Sequence, residues 1–130
     1  MQRFRAEGGF SLLEVVVALA LLTLFILPLA SLLNSGLVQI QKSRSFTEAT
    51  ALLQTAIEET KLIAANDWET IAKGKLVINS PNPNYQISTE TFGADPDLRR
   101  VVLEVLTSDG GPIAGGQVRT EILLYRPDPQ

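Results

Sequence analysis

Two regimes of hydrophobic spacing divide the front half of the chain. From Val15 to Leu33 it reads VVVALALLTLFILPLASLL without a charge, and moving back to Phe10 adds only Glu14. A helix needs about 20 apolar residues to cross a bilayer. This stretch has the length, and it lacks the polar stripe of a soluble core helix. Beyond Asn34 the spacing changes. Phe46, Ala49, Leu53, Ala56, Ile57 and Ala64 recur every three or four residues among Glu48, Gln54, Glu58 and Lys61, the period of a one-sided helix. One helix from Phe10 to about Ala65, bent on the way and closed by Asn66-Asp67, accounts for both regimes. The stripe on its second half should pack on a sheet. Glu58 and Lys61 form a candidate i,i+3 pair, worth about a few tenths of a kcal/mol. Pro28 removes a backbone donor and presses on the carbonyl of Leu24, which predicts a kink over residues 24–28. Gly36 offers a second soft point two turns on.

Period-two patterns follow. Trp68 closes one end of the core, and Lys73-Gly74-Lys75 reads as a turn. Leu76–Asn79 reads as a short strand. Ser80–Asn84 is a loop marked by Pro81 and Pro83. Tyr85–Phe92 alternates, Arg99–Thr107 (RRVVLEVLT) is strongly strand-like, and Gln117–Arg126 is another strand. The SDGGPIAGG stretch between the last two suits a hairpin loop. Val101, Leu103 and Val105 share one face of their strand, as do Val118, Thr120, Ile122 and Leu124 of theirs. The terminal RPDPQ cannot extend a central strand. The expected product is α+β: a long helix and an antiparallel sheet of three to four strands laid on its C-terminal half.

Composition narrows the chemistry. The chain has 130 residues, enough for one small head, with 45% apolar and 19% charged residues and a mean hydropathy of +0.17. Cysteine and histidine are both absent. Disulfides, thiolate nucleophiles, Cys-ligated zinc and the commonest general base are therefore excluded. No catalytic residue, cofactor site or metal site is read in the sequence, and the chain is expected not to be an enzyme. Net charge is −3, and acids outnumber bases from Lys42 onward, so no general basic field attracts nucleic acid. Arg99-Arg100 could meet an anion but reads better as a solvated strand start.

Three readings compete for the apolar start. A secretory signal peptide would have a shorter apolar core of about 7–15 residues, with a weak cut near Ala30. An uncut signal anchor would leave a monomeric extracytoplasmic domain that binds a ligand. The third reading rests on GGFSLLEVVVALALL, from Gly8 to Leu22. This resembles the N-terminus of type IV pilins and pseudopilins, with a short basic leader ending in Gly, an aromatic first mature residue and an acid ahead of an unbroken apolar helix.

The residues carry a physical logic of their own. Gly9 has no side chain to keep a protease from the backbone. Glu14 inside hydrocarbon costs at least about 2.5 kcal/mol, so something must offset it. A cut after Gly9 would create an amine at Phe10, four residues from Glu14 and about 6 Å along the helix axis. The resemblance implies an aspartic prepilin peptidase that cleaves between Gly9 and Phe10 and N-methylates Phe10. It also implies that Glu14 sets register as subunits join a fibre. Arg3 and Arg5 before the span favour an N-in, C-out orientation in the inner membrane. The absence of cysteine leans toward a minor pilin or minor pseudopilin. Asp95–Val105 (DPDLRRVVLEV) also resembles the strand region of small minor pseudopilins of type II secretion.

The expected organisation is a leader over 1–9, an assembly helix over 10–34, the head's amphipathic helix over 35–66 and a sheet head over 67–130. Expected partners are other pilin or pseudopilin subunits, the prepilin peptidase/methyltransferase and an inner-membrane assembly platform. Nucleic acid would enter only in a DNA-uptake system.

Overall fold

A computed structural model describes residues 9–128. Arg3, Arg5 and Gly8 of the expected leader lie outside the described residues. The elements run α1 (Leu12–Asn66), α2 (Trp68–Ala72), β1 (Tyr85–Phe92), β2 (Leu98–Thr107) and β3 (Val118–Tyr125). The chain divides into two compact units, one up to Gln39 and one from Ile40.

The first unit is the apolar part of α1. Among the described residues its large apolar side chains are all exposed, from Phe10 at 82% through Leu29 to Val38 at 43%. The helix assignment continues through Pro28.

The second unit has the expected core. Ala49, Leu53, Ala56 and Ala64 of α1 pack with Val101, Leu103, Val105, Val118 and Leu124 of the sheet. Thr60 shares the buried stripe, and its hydroxyl donates to the Ala56 carbonyl at 2.7 Å. The stripe of small and apolar residues at three- and four-residue spacing is therefore complete only when Thr60 is counted in it.

The sheet is a three-stranded antiparallel meander in the order β1-β2-β3. The register pairs Val101 with Thr91 and Ile122, Leu103 with Thr89 and Thr120, and Val105 with Ile87 and Val118. These β2 positions are fully buried, as their alternation predicts. The β2–β3 connection contains two turns, closed by Gly110 N–H to the Thr107 carbonyl and by Gly116 N–H to that of Ile113. Ile113 between them is buried, so the connection is a plug as well as a hairpin loop.

Four expectations are corrected. The helix begins at Leu12, not Phe10, because Ser11 caps it. Leu76–Asn79 forms no strand. Leu76 and Ile78 still point into the core, and the link to β1 is a side-chain bond from the Thr89 hydroxyl to the Leu76 carbonyl. The alternation of Leu76 and Ile78 with Val77 and Asn79 thus recorded burial, not pairing. Glu58 and Lys61 make no ion pair among the described residues; Arg44–Glu48 does, at 3.0 Å and i,i+4 spacing. Finally, Arg99 is not a solvated strand start. Its guanidinium donates to the carbonyls of Gly93, Asp95, Leu98 and Ala72. With Trp68 Nε1 donating to the Pro96 carbonyl at 3.1 Å, Arg99 holds the 93–97 turn against α2.

Candidate functional site

Chemistry was expected at Gly9, Phe10, Glu14 and Pro28. Gly9 and Phe10 precede the helix and are exposed. Space around Gly9 is open, with nothing within 4 Å of an added Cβ. The Ser11 hydroxyl accepts from Glu14 N–H at 3.2 Å, and the Ser11 carbonyl accepts from Val15 N–H at 3.2 Å. The first bond satisfies a donor that a helix start otherwise leaves orphaned, and the second is the first regular bond of the helix. Ser11 with Glu14 is the S-x-x-E spacing of a capping box, a signal in the sequence that identifies Ser11 as the cap.

Glu14 thus sits in the first turn of α1, where the positive end of the helix dipole favours a carboxylate. Phe10 and Glu14 line one shallow groove with Ala18 and Leu22, at four-residue intervals. In the uncut chain Phe10 carries a peptide nitrogen, so no cation is present there, and Glu14 has no ion pair among the described residues.

The helix beyond Glu14 decides the energetics. Thirteen Val, Leu, Ile and Phe residues lie between Val15 and Leu33. At about 0.3–0.6 kcal/mol each they favour the bilayer by about 4–8 kcal/mol, against about 2.5 kcal/mol for one centrally placed acid. The helix is long and apolar enough to cross a membrane, and the apolar residues outweigh one acid at its start on insertion scales. An apolar surface of this size that stays uncovered within the chain requires lipid or other helices around it.

Elsewhere the polar clusters serve the fold. Asp67 caps α2. The Thr70 hydroxyl, at 2.7 Å, is the main cause of its lowered pKa, followed by Thr70 N–H. Glu69 is lowered by a hydrogen bond from the Lys73 ammonium, and Lys73 is raised by the same bond. Asp109 is lowered chiefly by the Thr107 hydroxyl within the β2–β3 turn. All four lie on the surface. Among the described residues no group of His, Cys, Asp and Glu could hold a metal ion.

Residues 4–30 match the family model of the prokaryotic N-terminal methylation motif, the signature of type IV pilins and pseudopilins. No curated protein and no solved structure matches the chain. The chain thus carries a prepilin-type start on an α+β fold of pilin-like form, a long N-terminal apolar helix with an antiparallel sheet packed on its second half.

Proposed function

We propose that the chain is a minor structural subunit of a type IV pilus or of a type II secretion-like pseudopilus. It is made as a precursor and inserted into the inner membrane with its N-terminus in the cytoplasm. The peptidase cuts between Gly9 and Phe10 and N-methylates Phe10. An inner-membrane platform then draws the chain into a helical fibre whose centre is made of the apolar helices.

One observation carries this reading. The methylation motif coincides with an acid in the first turn of a helix that is apolar and uncovered. Each part has a physical task. Gly9 leaves the backbone open for cleavage. Cutting there converts the Phe10 nitrogen into an amine on the same groove as Glu14. Glu14 then neutralises its own amine or that of a neighbouring subunit, which lowers the cost of an acid in an apolar environment. Because lipid contacts are exchanged for helix contacts of similar apolar character, specificity falls to close packing and to this charge pair. Pro28 is a kink point of the kind that a membrane helix tolerates.

Intact mass and N-terminal sequencing of the chain from host membranes test the first step. A mature start at methylated Phe10 is expected. A start at Met1 would make it a signal-anchored domain that binds an extracytoplasmic ligand, and a start near Ser31 would make it a secreted one. For the second step, Glu14→Ala is expected to leave insertion and cleavage intact and to reduce the chain in sheared fibres at least tenfold. Normal incorporation of that variant refutes the register role.

A further inference from the structure

The outer face of the sheet carries an apolar patch that the core does not use. Register sets Phe92, Arg100 and Leu123 side by side, and Leu98 beside Tyr125 one step on. Phe92, Leu123 and Tyr125 are 49%, 56% and 71% exposed. Phe92, Leu98 and Leu123 line a hollow of about 160 Å³, room for an aliphatic side chain. The margin is acidic. Asp95 lines the hollow, and Glu90 and Glu121 flank Val102 in the next row. The base at the centre, Arg100, is held by Glu121 at 3.1 Å.

A complementary surface lies on α1. Between Glu14 and Glu48 the charged residues are Lys42 and Arg44, both basic. Leu37, Ile40 and Arg44 stand at i, i+3 and i+7, on one helix face. Leu37 and Ile40 are 62% and 65% exposed. Arg44 meets Glu48 in an exposed pair, of a kind that exchanges partners at little cost. This stripe is apolar and then basic, the counterpart of an apolar hollow with an acidic margin.

We propose that the sheet patch of one copy receives the Leu37–Arg44 stretch of a second copy, with Ile40 in the hollow beside Leu123 and Arg44 against Glu90 and Glu121. The two surfaces differ, so the contact is head-to-tail, and such contacts propagate into open helical arrays when the rotation does not close. The inference rests on the fibre reading and names the surfaces that touch within it. A minor subunit built this way joins the fibre in runs of its own kind.

The chain has no cysteine, so introduced thiols are the sole ones. Full-length Ile40→Cys/Leu123→Cys, expressed in its host and treated with a short bis-maleimide, is expected to give dimers and ladders in the sheared-fibre fraction. Each single variant is expected to give no ladder. Arg44→Glu added to the pair should cut the cross-linked yield at least fivefold, and Glu90→Lys/Glu121→Lys added to that should restore it. A chain that reaches the fibre without cross-linking overturns the docking and leaves the fibre reading standing. An unsubstituted chain that never reaches the fibre overturns both. Cross-links solely to a different polypeptide overturn the commitment to a second copy.

Discussion

Gly115 has φ +111°, and a Cβ there would lie 3.0 Å from the Lys42 carbonyl of α1. Gly74 has φ +67° with open space around it. The same substitution therefore has two outcomes. Gly115→Ala meets both backbone strain and a clash, and is expected to cost about 2–4 kcal/mol. Gly74→Ala meets strain alone, near the left-handed minimum, and is expected to cost about 1 kcal/mol. Thermal unfolding of the two variants checks the order, and equal losses would remove the close approach as the reason. Thr60 gives a second contrast. Thr60→Val keeps the shape and gives up one bond to the Ala56 carbonyl, for about 0.5–1.5 kcal/mol. Leu103→Ala opens a cavity where β2 is fully covered, for about 2–5 kcal/mol. The Thr60 hydroxyl is polar in the sequence, and only its bond back to the preceding turn explains its place in the core.

The strands differ in kind. β2 is paired on both sides, whereas β1 and β3 are each paired on one side among the described residues. Amide hydrogen exchange is expected to be slowest at Val101, Leu103 and Val105 and faster in β1 and β3; uniform protection across the three strands would contradict this layout. β2 was readable in the sequence because RRVVLEVLT alternates and is rich in β-branched residues. Leu76–Asn79 carries a similar local pattern and forms no strand, since no partner strand bonds it. α2 is too short for a period to show, although Asp67 and Thr70 stand at capping distance. At the helix start, the capping spacing of Ser11 and Glu14 was legible, and it sets the first helical residue at Leu12.

For the molecule as a whole, the pH response follows from its surface acids and one lysine. Asp67, Glu69 and Asp109 have lowered values in the fold. Their contribution is present above their unfolded values and is lost as pH falls through the folded ones, below about pH 4. Lys73 is raised, so its contribution is present below its ordinary value and is lost as pH rises through the folded one, above about pH 10. With no histidine in the chain, head stability is expected to stay flat from about pH 5 to 9. A titration step near pH 6 in the unfolding midpoint would contradict this. The compact unit from Ile40 holds its own core. A chain beginning at Ile40 is therefore expected to unfold cooperatively in buffer without detergent, while the full precursor sediments with membranes. Failure of the shorter chain to fold would show that the core depends on the apolar part of α1.

Local period was enough to read the apolar span, the amphipathic stripe and the three strands. Each is a matter of neighbours along the chain, where helix and strand geometry dictate which side chains share a face. The uses of Arg99, Thr60 and Leu76, the plug at Ile113 and the outer hollow of Phe92, Leu98 and Leu123 had no such signature. Those depend on which carbonyl, cavity or strand arrives from a distant stretch of chain, and that is set when helix and sheet close on one another.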